Sequence, residues 1–147
     1  MLPSFREMFH RLLHAPGQSR TARTVELFGW LILAEGPVMM LAPHFAASLL
    51  HIPPLNEQAA NYFRILGLPI GGLGMLYIAS GRLNAEGFAF ASLLDRPIVP
   101  FVMAVLWWHG IIPGPLALLF VMQDAGSFLW TLFTWRAERS AANPPPT

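Results

Sequence analysis

Cysteine is absent from the chain, which excludes disulfides, thiolate metal sites, cysteine nucleophiles and cysteine-held clusters. Lysine is absent too, so all nine basic residues are arginine. Charge of either sign is scarce: 12% of the 147 residues, against roughly 25% in soluble domains. The formal net charge of +1 is too small a field to hold nucleic acid. Phosphate loops, dinucleotide fingerprints and serine-hydrolase elbows are also missing. Gly71-Gly72-Leu73-Gly74 follows no strand, and helix packing explains it better than nucleotide binding. What fills the composition is apolar: 54% hydrophobic residues and a mean hydropathy of +0.49. A chain of this length suits one domain, and this balance predicts a membrane protein.

Taken in order, residues 1–24 predict a cytoplasmic amphipathic segment rather than a signal peptide, which needs a continuous apolar core. Phe5, Met8, Phe9, Leu12 and Leu13 share one helical face, with Arg6, Glu7, His10, Arg11 and His14 largely opposite. Ser4 and Glu7 have capping-box spacing, and Pro16-Gly17 stops the helix. Such a helix beside a membrane span lies in the interface plane.

Residues 25–136 predict a four-helix transmembrane domain. Val25 to Ala42 is the first span, with Glu26 in its first turn and Glu35 inside the apolar run. Pro43 to Leu55 is an outer connection. Asn56 caps the second span, Glu57 to Ser80, where Gly67 and Gly71 form a GxxxG pair and Pro69 predicts a bend. Pro97 to Ile112 is a short third span that can borrow Phe88 to Leu94. Asp95 and Arg96 precede it and read as interfacial anchors able to snorkel. Pro115 to Trp135 is the fourth span, joined to the third by a short turn that demands an antiparallel hairpin. Residues 137–147, ending Asn143-Pro144-Pro145-Pro146-Thr147, read as a disordered cytoplasmic tail.

The arginines set orientation. Arg6, Arg11, Arg20 and Arg23 precede span one, Arg82 and Arg96 lie between spans two and three, and Arg136 and Arg139 follow span four. The connections 43–56 and 113–114 hold none. The positive-inside rule therefore places both termini in the cytoplasm, which demands an even number of spans. The localisation expected is the bacterial inner membrane.

Three charges interrupt the spans: Glu35, Arg64 and Asp124. Counted at about 1.5 Å per residue, each lies roughly 10–14 Å below the outer boundary. Charges in hydrocarbon face inward and pair, and the fork of Arg64 can bridge two carboxylates. Gln123 and Ser127 extend a polar stripe on span four, and Tyr77 adds a hydrogen-bonding group from span two. One reading of this network is structural glue; the other is a proton or ligand site. The five histidines show no metal-binding motif, and their interfacial positions favour solvation over ligation.

Tyr62-Phe63-Arg64-Ile65-Leu66-Gly67, Gly74-Met75-Leu76-Tyr77-Ile78-Ala79 and Gln123-Asp124-Ala125-Gly126-Ser127-Phe128-Leu129-Trp130-Thr131 resemble segments of the small bacterial four-helix membrane proteins of the DoxX-like and BphX-like type. The resemblance covers roughly Val25 to Arg136. It implies a four-helix membrane bundle, in a group where some members are quinone-linked oxidoreductase subunits, and it transfers no catalytic residue.

Two functions follow as expectations. The first is a non-catalytic accessory subunit, in contact with the bilayer and with other membrane subunits or copies of itself. The second is a proton-coupled carrier or a quinone- or redox-linked protein using Glu35, Arg64 and Asp124. No cofactor is expected on the first reading; haem or quinone belongs to the second.

Overall fold

The computed structural model describes residues 3–142. They form seven helices and no strand: α1 (Phe5–His14), α2 (Arg20–Leu41), α3 (Pro43–Leu49), α4 (Glu57–Arg82), α5 (Glu86–Asp95), α6 (Ile98–Trp108) and α7 (Gly114–Ala142). Four stretches are long and apolar enough to cross a membrane: α2, α4, α5 with α6 as one broken span over Glu86–Trp108, and α7. The all-α four-span architecture is therefore the one expected. Both ends of the described chain lie at one end of the bundle, where Glu138 of α7 meets the start of α2.

The helix starts follow local chemistry. Ser4, Ser19 and Asn56 each turn a side-chain oxygen onto a backbone N–H in the first turn of the helix they precede. Ser19 starts α2 at Arg20, ahead of the Val25 boundary expected from hydropathy. Ala15, at φ 43°, and Gly17, at φ 68°, turn the chain between α1 and α2. Helices α2 and α4 run unbroken through Pro37 and Pro69. Helix α7 continues past Arg136 to Ala142, so the segment read as tail begins as helix; residues 143–147 lie outside those described. The amphipathic α1 buries none of its residues, and Phe5, Phe9 and Leu13 stay exposed.

The tightest seam joins α2 and α4, which run antiparallel. Its spacing is seven residues: Ala22, Gly29 and Gly36 on α2 against Ala60, Gly67, Gly74 and Gly81 on α4, nearly all buried below a tenth exposed. A seven-residue period is the left-handed, 3.5-per-turn repeat of coiled coils. A Cβ on Gly81 would stand 2.6 Å from the Ala22 carbonyl oxygen, so only glycine allows the approach. The GxxxG partner Gly71 borders the seam with its backbone, since a Cβ on Gly36 would stand 2.7 Å from the Gly71 nitrogen, while a Cβ on Gly71 itself would point clear of it, 3.9 Å from the nearest atom. Helix α7 packs on α2, α5 and α6, α1 packs on α4, and the backbones of α4 and α7 do not approach each other closely.

The third span breaks at Arg96-Pro97. Both residues keep right-handed backbone angles, yet the helical pattern lapses between α5 and α6. Proline explains it. Pro97 and Pro100 lack the N–H groups that would bond the carbonyls of Leu93 and Arg96. Irregular backbone at membrane depth is tolerated where protein buries it.

Candidate functional site

The break carries Arg96 into the bundle rather than to its surface. Its residue exposure is 1%, which corrects its expected role as a snorkelling anchor. Span three starts at Glu86, not at Pro97, so Arg96 falls near mid-span instead of at an edge. That signal was present in the sequence, since the apolar run Phe88–Leu94 lies on its other side.

Four spans build the Arg96 environment. Its Nη1 donates to the Ser127 carbonyl at 3.1 Å and to Thr131 Oγ1 at 2.9 Å, both on α7. Thr131 is fully buried, and its hydroxyl lies 2.9 Å from that of Thr24 on α2. The guanidinium carbon sits 4.2 Å from the centre of the Phe28 ring and 5.3 Å from that of Tyr77. Phe28 and Tyr77 meet edge to face at 5.2 Å, and Tyr77 meets Phe88 in the same way at 4.8 Å. Desolvated cation–π contacts of this kind are worth about 2 kcal/mol. Nε and Nη2 of Arg96 are buried with no hydrogen-bond partner among the described residues. A buried polar group left so costs about 1–3 kcal/mol, more when charged.

The acidic residues expected in the network lie nearby. Asp124 is 7% exposed and sits one turn of α7 from Ser127, on the face that also carries Thr131. Its charged neighbours are Arg96 and Asp95. Glu35, half-buried on α2, is turned toward Gln123 and Asp124. Ser127 contributes its carbonyl to Arg96, while its hydroxyl donates back to the Asp124 carbonyl. Tyr77 serves as an aromatic wall, and its hydroxyl lies near the Arg96 guanidinium.

Arg64 does not join them. It is exposed on α4 and donates to Asn61 Oδ1 at 2.8 Å. Among the described residues the ion pairs are Glu7–Arg11 and Glu26–Arg82, so Arg64 bridges neither Glu35 nor Asp124. This corrects the expected network, and the reason is packing. The glycine seam brings α2 and α4 too close to admit a guanidinium between them, and α4 does not reach the helix that carries Asp124. The buried cation near Asp124 is Arg96.

A second polar centre lies at the arginine-rich end. Arg82 Nε donates to Glu26 Oε1 at 2.7 Å, Gln18 donates to Glu26 Oε2 at 2.6 Å, and Trp30 Nε1 adds a contact at 3.3 Å. Arg82 Nη1 reaches the Leu12 carbonyl at 3.2 Å and so holds α1 against α4. Sequence reading placed Glu26 in the first turn of its helix; the earlier start of α2 moves it inward, where it needs this partner. Glu138 accepts from the backbone N–H of Arg20 at 2.6 Å and from Thr21 Oγ1 at 2.6 Å, a carboxylate at a helix N-terminus. Between these groups opens a cleft of about 220 Å³, with Ser19, Asn84, Glu86, Trp135 and Arg139 among its walls. A polar line runs inward from it: Glu138 to Thr21, the Thr21 carbonyl to Thr24 at 2.8 Å, then Thr131 and Arg96.

Among the described residues no group of three histidine, aspartate or glutamate side chains converges as a metal site. His10 and His14 stack on each other at 4.2 Å on α1. No family model, curated protein or solved structure matches the chain.

Proposed function

We propose that this integral membrane protein is a proton-linked carrier that works through Arg96 and Asp124. The observation that carries the reading is the unmet half of the Arg96 guanidinium. A buried arginine serving only as glue is held by a carboxylate in contact and by satisfied donors. Among the described residues no carboxylate lies within ion-pair distance of Arg96, and two of its three nitrogens are idle near an acidic side chain. Intramembrane ionisable groups arranged this way mark ion and proton pathways.

The orientation belongs to the same proposal. Arg6, Arg11, Arg20, Arg23, Arg82, Arg136 and Arg139 gather at one end of the bundle, which the positive-inside rule assigns to the cytoplasm of a bacterial inner membrane. Helix α1 then rests its Phe5, Phe9 and Leu13 face on the inner leaflet. Membership of the DoxX-like or BphX-like group is also proposed, on the three segments that resemble it.

The test is the decay of an imposed pH gradient in proteoliposomes of the purified protein. Wild type dissipates the gradient, while Asp124→Asn and Arg96→Lys, both folded, do not. Equal decay in all three overturns the reading.

One observation favours an accessory subunit instead. Arg64 lies about seven residues, roughly 10 Å, inside α4 and is exposed with Asn61 as its partner. A carboxylate from another subunit would cover that charge. On this reading Arg64→Leu loses a protein that co-purifies with wild type from native membranes. Retention of every co-purifying protein removes it.

A further inference from the structure

We propose that the free edge of Arg96 binds the carboxylate of a small monocarboxylic acid, admitted through the cleft at the arginine-rich end. The proposal rests on the proton-linked reading above and names the substrate class of that site.

The two idle nitrogens are the pair with the right geometry. In a guanidinium, Nε–H and the N–H of Nη2 on the same side point in parallel, spaced to meet both oxygens of one carboxylate. Nη1, the remaining nitrogen, is fixed to Ser127 and Thr131. Phe28 and Tyr77 hold the guanidinium between them. The anchoring is thus complete on one side, and the bidentate edge is buried and unpaired on the other.

Charge sets the ligand to a monoanion. Arg96 is the cation of this centre; Asp124 and the exposed Asp95 are its acidic neighbours, and Glu35 lies beside Asp124. With a carboxylate bound at Arg96 the buried centre is neutral when Asp124 and Glu35 both carry protons, which ties binding of the acid to proton uptake. A dianion would leave an excess negative charge in a low-dielectric site, where it is costly.

The cleft supplies the route. Val25 and Ala89 line it, and the same two residues pack with Phe28 and Tyr77 in one apolar cluster. One layer of side chains therefore separates the cleft from the ring faces against Arg96. Its volume of about 220 Å³ suits a small apolar body rather than a drug-sized one. Arg139, stacked on Trp135 at 4.2 Å, places a positive charge at the mouth.

The probes are benzoate and its uncharged analogue benzamide, read by thermal unfolding of the full-length protein in detergent. Saturating benzoate raises the wild-type Tm by about 5 °C or more, and benzamide does not. Arg96→Lys, which keeps the charge and loses the fork, needs on the order of tenfold more benzoate for the same shift. Absence of a wild-type shift, an equal shift with benzamide, or an unchanged Arg96→Lys overturns the proposal. Should Arg96→Lys fail to fold, Ala85→Cys in the naturally cysteine-free chain, labelled at the cleft wall with a bulky maleimide, decides it. Loss of the benzoate shift on labelling supports the route, and its persistence overturns it. If pH-gradient decay still depends on Asp124 while benzoate has no effect, the carboxylate assignment alone falls. If benzoate binds but no gradient decays, the proton-linked reading falls instead.

Discussion

Gly36 and Gly67 meet backbone to backbone across the α2–α4 seam. A Cβ on Gly67 would stand 2.6 Å from the Gly36 carbonyl oxygen, and one on Gly36 would stand 2.7 Å from that of Gly67. The atoms in the way are backbone, so neither helix can yield by turning a side chain.

Gly67→Ala and Gly81→Ala are therefore expected to destabilise by about 1–3 kcal/mol or more, the cost of overpacking. Gly72→Ala, with nothing within 4 Å of the added atom, should be neutral or stabilising by up to roughly 1 kcal/mol through helix propensity. Thermal unfolding in one detergent compares them. Equal losses at Gly67 and Gly72 would refute the seam.

The Glu26–Arg82 pair should couple. Breaking a fully buried pair costs about 3–5 kcal/mol. Both side chains here keep some solvent contact, which screens them, so Arg82→Gln should cost about 1–3 kcal/mol. A double-mutant cycle with Glu26→Gln should show a favourable interaction. Because Arg82 also holds the Leu12 carbonyl, protease cleavage between α1 and α2 should accelerate in the same variant. A cycle with no coupling and unchanged cleavage would contradict the arrangement.

Arg96→Met separates site from glue. Thr131 keeps Thr24 as its partner, and the Ser127 carbonyl remains part of α7. Replacing a poorly satisfied buried charge with an apolar side chain is often neutral or stabilising. Stability should stay within about 1 kcal/mol of wild type while dissipation of the pH gradient is lost. A loss of about 3–5 kcal/mol would mark Arg96 as a structural pair member.

Orientation is testable because the chain has no cysteine of its own. Ser140→Cys lies at the arginine-rich end and Ser48→Cys on α3 at the other, both exposed. In intact cells a membrane-impermeant maleimide should label Ser48→Cys and spare Ser140→Cys. The reverse pattern would invert the assigned topology.

Much of the fold was legible in one dimension. Span length, hydropathy and caps are local quantities, so Asn56 could be assigned its helix start and the hairpin before α7 could be read from its short turn. The candidate site was legible only in part. Asp124 was found because a carboxylate in the middle of an apolar run stands out. Arg64 stood out for the same reason, yet it faces outward.

From the residues alone came four membrane-crossing helices, an amphipathic leading helix and three ionisable groups within the spans. These follow from transfer energies that each segment carries wherever it packs. Which arginine is buried depended on the assembled bundle. Glycines at seven-residue spacing draw α4 so close to α2 that Arg64 is left on the flank. Two prolines interrupt the third span at the turn that carries Arg96 between Phe28, Tyr77 and Thr131. A depth along one helix has no direction around its axis, and only the packing of neighbouring helices supplies one.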